Sequence, residues 1–201
     1  MDNNVMFKIG YGLYVLTCEE DGKDNGCIIN TTVQVTSNPN RISLTVNKQN
    51  YTTYMCLRKK KFNISILSEK ADFELFKHFG FSSGGRIDKF RDFEDFKRDE
   101  NGISYITKGT NAYISCKVYE TIDLGSHIMF IADVTGGEIL SDDKSVTYDY
   151  YHENIKPKPE KSENKTGYRC KICGYVYEGE NLPSDFICPL CKHGAEDFEK
   201  I

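Results

Sequence analysis

Tyr168-Arg169-Cys170-Lys171-Ile172-Cys173-Gly174-Tyr175-Val176-Tyr177, closed by Phe186-Ile187-Cys188-Pro189-Leu190-Cys191, is the stretch on which the reading of the chain turns. It holds two Cys-x-x-Cys pairs separated by 14 residues. Each pair can fold into a tight turn that aims two sulfurs at one point. Two such turns facing each other place four thiolates at tetrahedral corners, a donor set for iron or zinc. Paired knuckles are a far more specific metal signal than a single Cys-x-x-Cys. The candidate ligands are Cys170, Cys173, Cys188 and Cys191, and spacing alone leaves iron and zinc both open.

Outward from this stretch, the chain has 201 residues, room for one medium domain and a small one. A net charge of -4 gives no basic surplus for a phosphate backbone, which argues against nucleic acid as a partner. No run of 18 apolar residues occurs, so no membrane span is expected. The start has no basic segment followed by an apolar one, which leads us to expect a cytoplasmic protein whose thiols stay reduced. Cys18, Cys27, Cys56 and Cys116 sit in apolar or strand-like segments and read as small buried hydrophobes without chemistry.

The clearest boundary is Lys156-Pro-Lys-Pro-Glu-Lys-Ser-Glu-Asn-Lys165, charged and proline-bearing, with nothing to bury. It divides a large domain, 1–155, from a tether, 156–165, and a small module, 166–201. A module of that size has little core of its own, so metal binding would supply much of its folding energy.

Within 1–155 short strands dominate. Ile9 to Cys18 reads as a strand, Glu19 to Gly26 as a hairpin turn, and Cys27 to Thr36 as a second strand. Ser37-Asn38-Pro39-Asn40 breaks the pattern before a strand from Arg41 to Val46. Gln49 to Arg58 and Ala71 to Phe79 read as short helices, with a strand from Phe62 to Leu67 between them. Phe90, Phe93 and Phe96, spaced by three, predict the apolar edge of another helix. Asn111 to Ile122 and Ile128 to Val134 are long strands. The pattern predicts a mainly β barrel or sandwich. No Gly-x-Gly-x-x-Gly follows a strand, so no Rossmann site is expected. Asn30-Thr31-Thr32, Ser37, the segment from Asn47 to Thr53 and the loop from Ser82 to Arg86 offer small donors. Arg86 adds a guanidinium that can fork onto phosphate.

The small module resembles rubredoxin, on its Cys-x-x-Cys-Gly-Tyr-x-Tyr opening, its Phe-x-Cys-Pro-x-Cys closing and the tail Gly194-Ala195, Asp197, Phe198, Glu199. Lys192 stands where that family has glycine, and Phe186 where it has tryptophan. This resemblance implies one iron on the four cysteines, with zinc as a possible substitute.

Residues 1–155 resemble the flavin reductase family of FMN-binding split barrels. The resemblance rests on Tyr11-Gly-Leu-Tyr-Val, Asn30-Thr-Thr, Gln34-Val-Thr-Ser-x-Pro39, Asn47-Lys-x-Asn-Tyr-Thr52, Phe79-Gly-Phe-x-Ser-Gly and Asp123-Leu-Gly-x-His127. It implies FMN held without a covalent bond at the interface of a homodimer. Asn30, Thr31, Thr32 and Ser37 would line the isoalloxazine and ribityl side. Asn47, Asn50 and Thr52, with Ser83, Gly84 and Arg86, would serve the ribityl and phosphate end. His127 matches a histidine on the nicotinamide side of the flavin, although Ser126 replaces the usual aspartate before it. As a residue alone, His127 reads equally well as part of a hairpin turn.

Together the two resemblances are those of the high-molecular-weight rubredoxins of anaerobes. They imply electron transfer through FMN and iron, from NAD(P)H or a rubredoxin reductase, to a flavodiiron protein that reduces nitric oxide or oxygen. The alternative is an NAD(P)H:flavin oxidoreductase that releases reduced flavin, its small module a structural zinc ribbon.

Overall fold

The computed structural model of the chain describes residues 3–157, 167–171, 175–188 and 194–201. The expected tether lies almost wholly outside the described residues, as do Cys173, Cys191 and Lys192. By contact the chain divides into two units, Met1–Ile155 and Lys156–Ile201.

The first unit is built on β1 (Tyr14–Glu20), β2 (Lys23–Ile29), β3 (Val33–Ser37), β4 (Asn40–Asn47), β5 (Lys61–Leu67), β6 (Phe96–Arg98), β7 (Ser104–Ile106), β8 (Thr110–Asp123) and β9 (His127–Ile139). Two helices, α1 (Tyr51–Lys59) and α2 (Phe73–Gly80), interrupt the strands. Seven strands form one antiparallel sheet in the order β2-β1-β5-β8-β9-β4-β3. Its two edge strands, β2 and β3, are neighbours in the chain, joined by Asn30, Thr31 and Thr32 alone. Four residue steps span at most about 14 Å, whereas seven strands laid flat span about 29 Å at the usual strand spacing. The sheet therefore curls until its edges nearly meet, without a ladder between them, which is a split barrel.

Alternation puts one face of each strand inside the curl. Leu16 and Cys18, Cys27 and Ile29, Ile42, Leu44 and Val46, Phe62 and Ile64, and Ile128, Phe130 and Ala132 fill the barrel, with Met55 and Cys56 from α1. Cys18, Cys27, Cys56 and Cys116 are all buried in this one core, as expected of small hydrophobes. Burial pushes the Cys27 thiol up to about 11 and the Cys56 thiol well above the ordinary thiol range, so neither is a ready nucleophile.

The outward faces of β1 and β5 carry Thr17, Asn63 and Ser65, fully buried under the β6–β7 hairpin. Their polar groups are matched one by one. The Asn63 amide donates to Ile103 O at 2.9 Å, and Ile106 N donates to the Ser65 hydroxyl at 2.9 Å. Asp24 accepts from Ser104 at 2.9 Å and from Arg98 at 2.6 Å. A second core of Leu13, Leu67, Leu75, Phe76, Phe79 and Val146 seats α2 and the segment through Tyr151 on the same side. Asp72 caps α2 by accepting from Leu75 N at 2.9 Å.

Several expectations need correction. The β1–β2 turn is not Glu19 to Gly26 but Asp21-Gly22, with φ of 52° and 78°, the pair of positive values that a two-residue hairpin matched to strand twist requires. The second strand is not continuous from Cys27 to Thr36; it breaks at Asn30–Thr32, where the chain crosses the split. Phe90, Phe93 and Phe96 do not lie on a helix. Two turns and β6 bring them together, and Phe93 stacks on His78 at 5.1 Å while Phe90 meets Phe79 edge-on at 5.7 Å.

The second unit is a three-stranded sheet of β10 (Tyr168–Cys170), β11 (Val176–Tyr177) and β12 (Phe198–Lys200) in the order β11-β10-β12. Its core is aromatic, with Phe186 against Phe198 at 5.4 Å and Tyr177 at 4.8 Å. Among the described residues no helix is long and apolar enough to cross a membrane.

Candidate functional site

The barrel's split and the start of α1 define one continuous strip. At the split, the Thr31 hydroxyl donates to Thr45 O at 2.8 Å and accepts from Thr45 N at 3.0 Å, stitching the β2–β3 connection to β4. Thr31 is thus spent on the backbone. The neighbouring Thr32 hydroxyl is buried and has no hydrogen-bond partner. Asn30 is half-buried beside them.

β4 ends at Asn47, which pairs across the sheet with His127 at the start of β9. The Asn47 side chain accepts from Gln49 N at 2.8 Å, and its carbonyl accepts from Asn50 N at 3.0 Å and from the Thr53 hydroxyl at 2.7 Å. These bonds turn the chain tightly into α1. Lys48 anchors the turn to the β8–β9 loop. Its N–H donates to Ser126 O at 3.0 Å, and its ammonium sits 2.6 Å from Asp123, whose carboxyl is held below its ordinary value by that contact. The half-buried His127 ring meets the Ser126 hydroxyl through Nδ1 at 2.8 Å. The histidine is at once a hairpin residue and a neighbour of Asn47.

Asn50 is the N-cap of α1 and makes no side-chain capping bond, while Thr53 N donates to its carbonyl at 3.0 Å. Such an end favours an anion. Behind it, Thr52 is 1% exposed. Asn25 on β2 donates to the Thr52 hydroxyl at 3.2 Å, and the buried Asn25 Oδ1 has no partner. The Ser82–Arg86 loop closes over this point. It is a turn built on Ser83, whose carbonyl accepts from Arg86 N at 2.9 Å. Gly84 lies so close to Asn25 that a Cβ there would stand 2.0 Å from its Oδ1, and one at Gly85 would stand 3.3 Å from the Tyr51 ring. Glycine is what lets the loop backbone approach. Arg86 projects from the loop, exposed.

The structure therefore brings Thr31, Thr32, Asn47, His127, Asn50, Thr52, Ser83 and Gly84 along one strip, with Arg86 beside it. It does not bring Ser37 there. Ser37 pairs with Asn40 at the opposite end of β4 from Asn47, roughly 23 Å of strand away. Tyr51 and Gly85 lie inside the two donor segments without being named singly, and the sequence reading does not single out Asn25 or Lys89. Asn25 and Lys89 sit in polar stretches that read as solvated, and nothing local marks them as buried.

In the second unit, Cys170 leaves β10 at 1% exposure and Cys188 is fully buried, both packed with Phe198. Cys170 N donates to Tyr175 O at 2.8 Å and Lys171 N to Asp197 O at 2.8 Å, the backbone frame of the first knuckle. One cysteine from each pair thus reaches a common core. Cys173 and Cys191 fall outside the described residues.

The fold and these two sites define a flavin reductase-like barrel followed by a rubredoxin-like domain. Residues 6–158 match the flavin reductase like domain family, to which the chain belongs, and residues 168–199 match the rubrerythrin, rubredoxin-like domain. Over its whole length the chain is similar to the high molecular weight rubredoxin of Moorella thermoacetica, 34% identical across 230 aligned residues that take in 100% of both proteins. The ferric-chelate reductase (NAD(P)H) of Archaeoglobus fulgidus is 34% identical over 158 residues, covering 79% of this chain and 93% of that protein. Among solved structures, flavin reductase PheA2 superposes with a TM-score of 0.61 at 27% identity, covering 73% of this chain and 93% of that one.

Proposed function

We propose that the protein is an electron-transfer flavoprotein that carries FMN on the strip and a single iron on Cys170, Cys173, Cys188 and Cys191. Bound FMN would exchange electrons in pairs with a hydride donor or singly with the iron, which carries one at a time. The observation that carries the reading is the coupling, in one chain, of a strip with unfilled polar atoms to a second unit in which one cysteine of each pair, Cys170 and Cys188, shares a buried core.

The residues present fit both groups. The start of α1 without a side-chain cap, Thr52, the Gly84 approach and the Arg86 guanidinium suit a phosphate. The unpartnered Thr32 hydroxyl and Asn25 Oδ1 are polar atoms that a bound polar ligand would satisfy. His127, steadied through Ser126 and next to Asn47, would orient a nicotinamide or the flavin edge. Thiolates suit iron, and zinc would take the same four ligands.

The donor would be NAD(P)H or a rubredoxin reductase, and the acceptor a flavodiiron protein in the cytoplasm. Exposed carboxylates at Glu180, Asp185 and Glu196 would steer that encounter. A homodimer would cover Val33 and Val35 on the edge strand β3, 58% and 51% exposed, and Tyr119, Ile122 and Leu124 near the end of β8.

An anaerobic NADH titration followed in the visible spectrum tests the reading. Bleaching of flavin and ferric-thiolate bands together makes the protein an NADH-dependent reductase with an internal outlet. Bleaching only after a rubredoxin reductase is added makes it a carrier. A colourless zinc-loaded module with loosely held flavin would overturn the electron-transfer reading and favour a flavin-releasing reductase.

A further inference from the structure

Lys89 is a lysine 2% exposed, on a segment otherwise turned to solvent. Its ammonium donates to Phe79 O, in the last turn of α2, at 2.8 Å and to Gly26 O on β2 at 2.8 Å. Its own carbonyl meets His78 Nε2 at 2.6 Å. Phe79 and Lys89 are ten residues apart, so these contacts draw the two ends of the loop containing Ser83, Gly84 and Arg86 together. The Gly26 contact fastens that closed loop to β2. The residues flanking Gly26 are Asn25, which bonds Thr52, and Cys27, which is buried in the barrel core beside Cys56 of α1. Lys89 thus ties the loop to the strand that holds the first turn of α1.

The ammonium meets two backbone carbonyls that an apolar side chain would leave without this donor, and it does so against the free-energy cost of burying a charge. We infer that Lys89 is the positioning residue of the phosphate end of the site: its ammonium clamps the loop closed and supplies buried positive charge to a phosphate dianion. This rests on the FMN reading above and deepens it. Lys89 does not itself touch the phosphate; it acts through the Gly84 loop and through its field, which burial strengthens.

A proton linkage follows. Burial lowers the Lys89 ammonium to about 8. The titratable and charged groups near it are Cys27 on β2 and His78 on α2, with Arg86, Asp88 and Arg91 on its own segment. Cys27 is neutral there, its thiol raised to about 11 by burial. A bound dianion favours the protonated lysine and by reciprocity raises its proton affinity. Apoprotein above pH 8 must therefore take up a proton when it binds FMN.

The test is FMN binding to full-length, metal-loaded, flavin-free protein at pH 7 and pH 9, with calorimetry in two buffers of different ionisation enthalpy to count protons. Wild type is expected to bind about tenfold more weakly at pH 9 and to take up about half a proton per FMN at pH 8. Riboflavin, which lacks the phosphate, is expected to show neither effect. Lys89→Arg keeps a charge that does not titrate and should bind FMN equally at both pH values. Lys89→Met should bind more weakly at pH 7 and take up no proton. If wild type binds FMN with no proton uptake, or if Lys89→Met keeps the uptake, the role of Lys89 is overturned while the flavin site stands. If FMN fails to bind at any pH, the flavin reading itself falls, and this inference with it.

Discussion

Gly84→Ala separates a loop held close for a ligand from one that merely turns. A Cβ at position 84 would stand 2.0 Å from Asn25 Oδ1 and 2.2 Å from its Nδ2. Ordinary contact needs about 3.5 Å, so something must yield by roughly 1.5 Å. Asn25 is 4% exposed and bonded to Thr52. Turning it aside would forfeit about 1 kcal/mol of hydrogen bond and leave the Thr52 hydroxyl bare. The surrounding loop is largely exposed, so its retreat is the cheaper relief. The empty protein should then lose only about 1 kcal/mol, or about 2–4 °C in melting temperature for a domain of this size. Binding must pull the loop back against an overpacking strain of about 1–3 kcal/mol, which weakens FMN by roughly 5- to 150-fold. Gly85→Ala is the control. Its Cβ would meet the Tyr51 ring at 3.3 Å and Ser83 Oγ at an ordinary 3.7 Å, and Tyr51 is exposed enough to swing away. Fluorescence titration of apoprotein with FMN, beside thermal melts, reads both variants. Equal FMN affinity in the two would refute the reasoning.

Four further outcomes follow. Thr31→Val removes both bonds to Thr45 and should cost about 1–3 kcal/mol of stability. Thr32→Val removes a hydroxyl without a partner and should leave the melt of apoprotein unchanged or raised while weakening FMN; denaturant melts and FMN titrations distinguish the pair. Asp24→Asn strips charge from the contacts with Arg98 and Ser104 and should destabilise the first unit by about 1–3 kcal/mol, read as earlier proteolysis near the β6–β7 hairpin. Metal removal by a strong chelator should abolish protection in residues 167–201 while leaving the barrel's amide exchange unchanged, because the small unit has little apolar core beyond its aromatic cluster.

The parts legible in the sequence were those whose information is local. β4 and β5 alternate, and β8 and β9 are rich in apolar and β-branched residues, β9 as far as Val134, so their strand state can be read directly, whereas that of the last residues of β9, Thr135 to Ile139, cannot. The cysteine pairs are legible because their spacing is local in the sequence. β2 was hidden because Lys23-Asp24-Asn25-Gly26 has turn chemistry; pairing with β1 and the bond from Asp24 to Ser104 make it a strand. The phenylalanines at 90, 93 and 96 misled because a spacing of three also suits consecutive turns wrapped around His78 and Phe79. The strip was only partly legible. Its residues come from positions between Asn25 and His127, and whether a given polar side chain faces it depends on how far the sheet curls. Ser37 has suitable chemistry but lies at the far end of β3 from the strip within the same chain. Nothing local in the sequence marks Lys89, because burial of its ammonium is decided by contacts with β2 and α2.

The sheet order also sets a timetable for synthesis. β4 takes β9 as its inner partner, from Asn47 with His127 to Arg41 with Asp133, separations of 80 and 92 residues. At ~5–20 residues per second on the ribosome, the finished β3–β4 hairpin waits about 4–18 s before its partner is made. During that interval the apolar row of Ile42, Leu44 and Val46 has no barrel to enter. Nascent chains of this protein should therefore be most dependent on chaperones between completion of β4 and emergence of β9.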